Sequence, residues 1–337
     1  MLQRSEEPKS LALAAAAGGA ALVALAFYHG RRARLAERRT PPVGAFLEVG
    51  GVRLHYFERG RGPALVLFHG NGSLIQDFLS SGLVARAARR YRVIVFDRPG
   101  YGFSARPRGR LWTPWAQADL LHAALARLGI GEAIVLGHSW GALVAASYAL
   151  RFPAATRALV LASGYFYPSP RFDALLASPS AVPVLGDVLR CTVSPFIARA
   201  IWPLLMRRIF GPAPVPPSFA EFPRELALRP SQLRAAAAES ALLVPAAARL
   251  ARRYSGIRVP TVVIAGADDR MLDSRYQSAG VARAVPGSRL HLLPGVGHMV
   301  HQTAPDAVMA AIDEASAMAA VGSPAPSLPR SRRSPAG

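Results

Sequence analysis

Short apolar runs, each closed by a glycine or a polar turn, recur along the chain. They are 64-ALVLFHG-70, 92-RVIVFDRPG-100, 133-AIVLG-137, 158-ALVLASG-164, 261-TVVIAG-266 and 289-RLHLLPG-295. Runs of consecutive apolar positions with no polar alternation are what a strand covered on both faces requires. Between them, residues 79–90 and 115–128 carry apolar side chains at helical spacing. The second of these has Pro114 at its first turn, where a missing N–H costs nothing. Strands alternating with helices predict an α/β fold, a mostly parallel central sheet wrapped by helices. Ahead of this alternation, 46-FLEVGGVRLHYFERG-60 reads as two short strands about Gly50–Gly51.

The alternation fails from Tyr165 to Ile257. That interval is rich in proline, holds no buried-strand run, and has helical patterns at 196–210 and 231–254. Helices inserted between two sheet strands form a cap over the C-terminal edge of the sheet, where ligands bind in open α/β architectures. With 337 residues, 51% of them apolar, the chain can bury one large core plus such an insertion.

The N-terminus follows another pattern. The stretch 11-LALAAAAGGAALVALAFY-28 is uncharged and close to the length that spans a hydrocarbon core. It is read as a membrane anchor, with a cleaved signal peptide or a helix packed on the domain as the alternatives. The block 31-RRARLAERR-39 follows the apolar run, while Glu6 and Glu7 offset Arg4 and Lys9 before it. That polarity favours the anchor and puts the remaining chain on the cytoplasmic side; the alternative is export after cleavage near Ala24–Ala26. The expected organisation is an anchor or signal segment at 1–30, a basic, proline-containing linker at 31–45, a core at 46–164 and 258–318, a helical cap at 165–257, and a disordered tail at 319–337.

Charge narrows the partners. The net charge is +20 and Lys9 is the only lysine. The arginines are scattered, apart from 31–39 and 330-RSRR-333, and no nucleic-acid-binding motif accompanies them. No nucleic-acid partner is expected; an anionic membrane surface suits the first cluster. The single cysteine, Cys191, excludes an intramolecular disulfide and a cysteine-based metal site.

One stretch carries chemistry. In 137-GHSWG-141, Ser139 sits between two glycines, after a predicted strand and before a predicted helix. Gly-x-Ser-x-Gly in that context is a nucleophile elbow, a sharp turn that projects the hydroxyl from the backbone. The N–H of Trp140 then faces a developing oxyanion. A serine needs a base, and the base needs a carboxylate to orient it. His298 follows the last strand run, and Asp268, Asp269 and Asp273 follow the run before it. The order Ser, Asp, His is that of this elbow.

With 68-FHGNGS-73, 97-DRPGYGFS-104, 266-GADD-269 and 297-GHMVHQTAPDAV-308, residues 46 to 315 resemble the α/β-hydrolase superfamily. The similarity is to its capped branch, which includes esterases, lipases, epoxide hydrolases, haloalkane dehalogenases and proline iminopeptidases. The resemblance implies Ser139, Asp269 and His298 as the catalytic residues, with Asp268 as runner-up to Asp269. It implies an oxyanion hole from the backbone N–H groups of Asn71 and Trp140, and no metal or organic cofactor. Asp97 and Arg98 are expected to shape their loop, His301 to pack near the site, and His55, His122 and His291 to be structural. A His298/His301 metal pair lacks further ligands of the right kind.

A serine where epoxide hydrolases and dehalogenases carry a carboxylate argues for acyl transfer. The expected function is hydrolysis of a small, apolar carboxylic ester, lactone or thioester through an acyl-enzyme on Ser139. The alternatives are an iminopeptidase-like amide hydrolase, a perhydrolase, and, in another class, a non-catalytic binding module. An iminopeptidase needs an acidic subsite, for which Glu221, Glu225 and Glu239 are candidates, read otherwise as surface charge. Phe166, Tyr167, Phe172, Phe196, Trp202, Phe210, Phe219 and Phe222 supply either an apolar pocket or the core of the cap.

Overall fold

The computed structural model describes residues 7–171 and 178–322. The expectations on Phe172, on 330-RSRR-333 and on the tail beyond residue 322 lie outside the described residues.

Eight strands form one sheet: β1 Ala45–Val49, β2 Val52–Arg59, β3 Ala64–Phe68, β4 Arg92–Phe96, β5 Ala133–His138, β6 Thr156–Ala162, β7 Thr261–Gly266 and β8 Arg289–Leu293. Their order is β1-β2-β4-β3-β5-β6-β7-β8. β1 and β2 pair antiparallel about the Gly50–Gly51 turn and join the sheet through β4; β3 to β8 run parallel. Side-chain alternation explains the unbroken apolar runs. On β3, Val66 and Phe68 enter one core while Leu65 and Leu67 enter the other. On β4, Ile94 and Phe96 divide from Val93 and Val95 in the same way. Both faces are roofed by helices, so neither position of the alternation tolerates a polar side chain.

Three elements of the sheet and its covering helices differ from expectation. Residues 79–90 do not form one helix: Ile75–Ser80 and Leu83–Ala87 are separated at Gly82, which takes a left-handed φ of 73°. β8 is an edge strand and is half-exposed, so His291 and Arg289 meet Glu314 at the surface. The last helix, Pro305–Gly322, carries through residues 319–322, which were expected in the tail.

Among its described residues, the interval between β6 and β7 holds helices and no strand. It contains Leu185–Thr192, Ser194–Phe210, Arg224–Ala227 and the long helix Pro230–Ala251. The long helix ties cap to core, burying Ala235 and Glu239 in its first half and Ala247 and Leu250 in its second.

The N-terminal helix runs from Glu7 to Arg39, through the arginine block. Residues 31–39, expected to open a linker, are its final turns. They dock on the cap: Ala36 is buried, Arg32 pairs with Glu225 at 3.0 Å, and Glu37 pairs with Arg229. Residues 10–24 are exposed throughout. By length and composition this helix is long and apolar enough to cross a membrane.

Candidate active site

The elbow follows from steric necessity. β5 ends at His138 and a helix begins at Trp140, leaving one residue for the turn. Ser139 makes it with φ 54° and ψ −118°, a region side chains rarely occupy. The flanking glycines let three backbones converge. A Cβ on Gly137 would lie 2.1 Å from the Gly141 carbonyl oxygen, and one on Gly141 would lie 2.1 Å from that of Phe68. Ser139 N–H donates to the Ala162 carbonyl at 2.9 Å, which pins the turn to the end of β6.

The structure brings Ser139, His298 and Asp269 together. His298 Nε2 is 3.0 Å from Ser139 Oγ, and its Nδ1 is 2.8 Å from Asp269 Oδ2. Asp269 Oδ1 accepts from the N–H groups of Met271 at 2.7 Å and Leu272 at 3.1 Å, which fixes the carboxylate beside the imidazole. The adjacent Asp268 turns away and accepts from Gly295 N–H at 2.7 Å, bracing the turn after β8. Asp273 accepts from Arg275 and Tyr276 N–H groups and caps its own loop.

Two contacts anchor the backbone of His298. Its N–H donates to the Ile209 carbonyl of the cap at 3.0 Å, and its carbonyl accepts from His138 Nε2 at 3.0 Å. His138, within the elbow motif, was not singled out by the sequence reading. Burial, then the charges of His301 and His298, pushes its pKa well below the ordinary histidine value. It therefore serves as a neutral donor to that carbonyl. Behind it, His301 Nε2 is 3.0 Å from Asp77 Oδ1. Burial alone would raise the Asp77 pKa, but the charge and hydrogen bond of His301 hold it below the usual carboxylate range.

Asp77, His138 and His301 are the one group among the described residues whose potential metal-ligand atoms all lie within 4.8 Å of one another. The carboxylate and one imidazole nitrogen already have protein partners, while Nδ1 of both His138 and His301 is buried without one among the described residues. Asp77 accepts from Ser73 Oγ at 2.8 Å and Gln302 Nε2 at 2.9 Å, and His138 spends its Nε2 on His298. The cluster braces the histidine loop.

On the other wall, His69 and Arg98 shape the turn that carries Asn71. Arg98 N–H donates to His69 Nε2 at 3.0 Å, and its guanidinium donates to the carbonyls of His69 at 2.8 Å and Gly70 at 2.9 Å. Burial and then the Arg98 charge lower the His69 pKa to about 4. Arg98 forms a fully buried ion pair with Glu239 at 2.5 Å. Glu239 is thus no surface charge; Tyr101 Oη at 2.7 Å and Gln117 Nε2 at 2.8 Å complete its shell. Asp97 accepts from the N–H groups of Ile75 and Phe103 and meets His55 Nδ1, holding its loop as expected. Asn71 itself is fixed by its side chain, which donates to the Ala236 carbonyl and Ser240 Oγ at 3.2 Å each.

A cavity of about 330 Å³ opens over Ser139 and His298. Asn71 and Trp140 line it, and its roof is apolar, from Ile201, Trp202, Leu205, Met206 and Phe219 among others. Of the expected aromatics, Trp202, Phe219 and Phe222 reach this cavity; Phe166 and Phe210 are fully buried in the cores. A larger cleft, about 1060 Å³, lies between the N-terminal helix and the cap and contains none of the three residues above.

Residues 63–305 match the family model described as alpha/beta hydrolase fold. Haloalkane dehalogenase 2 of Mycobacterium tuberculosis is 28% identical over 274 residues, which is 78% of this chain and 91% of that protein. Among solved structures, a thermophilic esterase from Thermogutta terrifontis superposes with a TM-score of 0.66 at 22% identity, over 82% of this chain and 99% of that one. A membrane phospholipase A described as a bacterial virulence factor superposes at 0.62 and 23% identity, over 91% and 96%. The chain belongs to the α/β-hydrolase family.

Proposed function

For this hydrolase-family chain, we propose a serine hydrolase that cleaves a carboxylic ester through an acyl-enzyme on Ser139. The observation that carries it is the continuous Ser139–His298–Asp269 hydrogen-bonded line beneath an apolar cavity. His298 Nε2 takes the Ser139 proton as Oγ attacks the carbonyl carbon. The backbone N–H groups of Asn71 and Trp140 receive the oxyanion, and Asp269 stabilises the imidazolium. As the tetrahedral intermediate collapses, the proton passes from His298 to the departing alkoxide. A water deprotonated by His298 then attacks the acyl carbonyl, releases the acid, and returns the proton to Ser139. The apolar roof favours an apolar acyl group. The N-terminal helix acts as a membrane anchor, with the domain on the cytoplasmic side by the positive-inside rule.

The competing chemistries fit less well. Dehalogenase relatives notwithstanding, a serine at the elbow suits acyl transfer. An iminopeptidase-like reaction needs an acidic subsite for a free amine. Glu239 is spent on Arg98, Glu225 pairs with Arg199 and Arg32, Glu221 is exposed, and none of them lines the cavity. A fluorophosphonate probe tests the proposal. Intact mass should rise by one adduct on the wild-type chain and not on Ser139→Ala. Absence of the adduct on folded wild-type protein would favour a non-catalytic module.

A further inference from the structure

The cap carries an apolar face that the described residues leave uncovered. The helix Ser194–Phe210 presents Phe196, Ile197, Ile201 and Leu204 to the outside, 43%, 55%, 49% and 69% exposed. Their spacing places them along one side of the helix. The preceding helix, Leu185–Thr192, meets it at a 60° bend and adds exposed Leu185 and Val188. Single exposed apolar residues are ordinary, but a contiguous set on adjoining helices marks an interaction surface. The inward side of the same helix, with Ala198, Trp202, Leu205, Met206 and Ile209, lines the cavity over Ser139. One helix thickness separates that cavity from the exposed apolar face, and Ile201 belongs to both.

The N-terminal helix indicates what covers this face. Residues 10–27 would rise about 27 Å at ~1.5 Å per residue, close to the ~30 Å of a hydrocarbon core. Phe27 and Tyr28 end that stretch, where interfacial aromatics belong. Phe196 stacks on Tyr28 with ring centroids 5.9 Å apart and meets His29 edge-on at 4.5 Å. The apolar face of the cap therefore begins at the depth where the free helix leaves the domain. Arginines lie at its borders: Arg31 and Arg34 on the N-terminal helix and Arg207 and Arg208 at the end of the cap helix, all four exposed to solvent. That placement suits anionic lipid head groups.

We propose that this cap face seats in the surface of an anionic bilayer, and that the substrate is a bilayer-resident long-chain acyl ester reaching Ser139 past the helix Ser194–Phe210. The substrate half rests on the serine-hydrolase reading; the docking half does not. The full chain, with Cys191→Ser and Leu204→Cys, is labelled at position 204 with an environment-sensitive fluorophore. It is reconstituted in phosphatidylcholine–phosphatidylglycerol vesicles that contain nitroxide lipids. Quenching is expected at 204 and not at a label placed through Glu132→Cys, at the opposite edge of the sheet. In parallel, Ile197→Glu/Leu204→Glu should slow hydrolysis of a vesicle-borne long-chain ester about tenfold while a soluble short-chain ester is turned over within about twofold of wild type.

Equal or absent quenching at the two positions would overturn the docking. Lipid-independent self-quenching at 204 with cross-linked pairs would assign the face to a second copy and overturn it too. Because quenching needs no turnover, a chain that docks but takes no fluorophosphonate would sink the serine reading and the substrate class while leaving the docking in place.

Discussion

Glu239→Gln tests how the cap holds the turn beside Ser139. Both partners of the Arg98–Glu239 pair are fully buried, and Arg98 donates to Glu239 at 2.5 and 3.0 Å. The amide keeps the shape but removes the charge, and turns an N–H₂ toward a guanidinium that needs acceptors. An uncompensated buried cation costs about 3–5 kcal/mol. That is a large share of the ~5–15 kcal/mol that holds a native protein folded. At roughly 2–4 °C per kcal/mol for a domain of this size, the melting temperature should fall by about 10 °C. The same guanidinium holds the carbonyls of His69 and Gly70. Its displacement should loosen Asn71 and lower kcat on a soluble ester about tenfold, with KM little changed, because Glu239 does not line the cavity. Calorimetry and steady-state kinetics read both effects. The double variant Arg98→Met/Glu239→Leu should recover much of the stability but not kcat, since it removes the unpaired charge and the brace together. A melting temperature within about 2 °C of wild type for Glu239→Gln would refute the reasoning.

Two further outcomes follow from the site. Asp269→Asn should lower kcat by about 10³–10⁴-fold, because the amide no longer favours the required imidazole tautomer, whereas Asp268→Asn should cost less than about tenfold; equal losses would mean that the carboxylate has been misassigned. Stability should fall early on acidification. His69 titrates at about 4 in the folded chain against 6.5 unfolded, so the unfolded state binds the proton first. Its contribution is complete above pH 6.5 and is lost as pH falls toward 4. At pH 5 the loss is about 2 kcal/mol, and His138, shifted the same way, adds to it. A melting temperature that stays flat from pH 7 to 5 would show that these imidazoles are not held neutral.

What was legible in the chain was local. An unbroken apolar run such as 64-ALVLF-68, closed by a glycine turn and alternating with helical patterns, is what a strand covered on both sides requires, because alternate side chains point to opposite faces. Gly137 and Gly141 announce the elbow because no Cβ fits where three backbones meet. The residues alone left Asp268, Asp269 and Asp273 open, and Asp269 was singled out only by the resemblance, whose Gly-x-x-Asp pattern falls on Gly266 and Asp269. What escaped was whatever depends on the arrival of a distant segment. Glu239 reads as one more charge on an alanine-rich helix until Arg98, 141 residues earlier, is buried against it. His138 reads as a variable position of the elbow until the carbonyl of His298 is laid beside it. The cap helix shows only that it is apolar; which side roofs a cavity and which is left uncovered depends on how it packs. Periodicity is a property of neighbouring residues and is written in the sequence. Burial, partner and protonation state belong to the three-dimensional environment, which exists only once segments far apart in the chain have met.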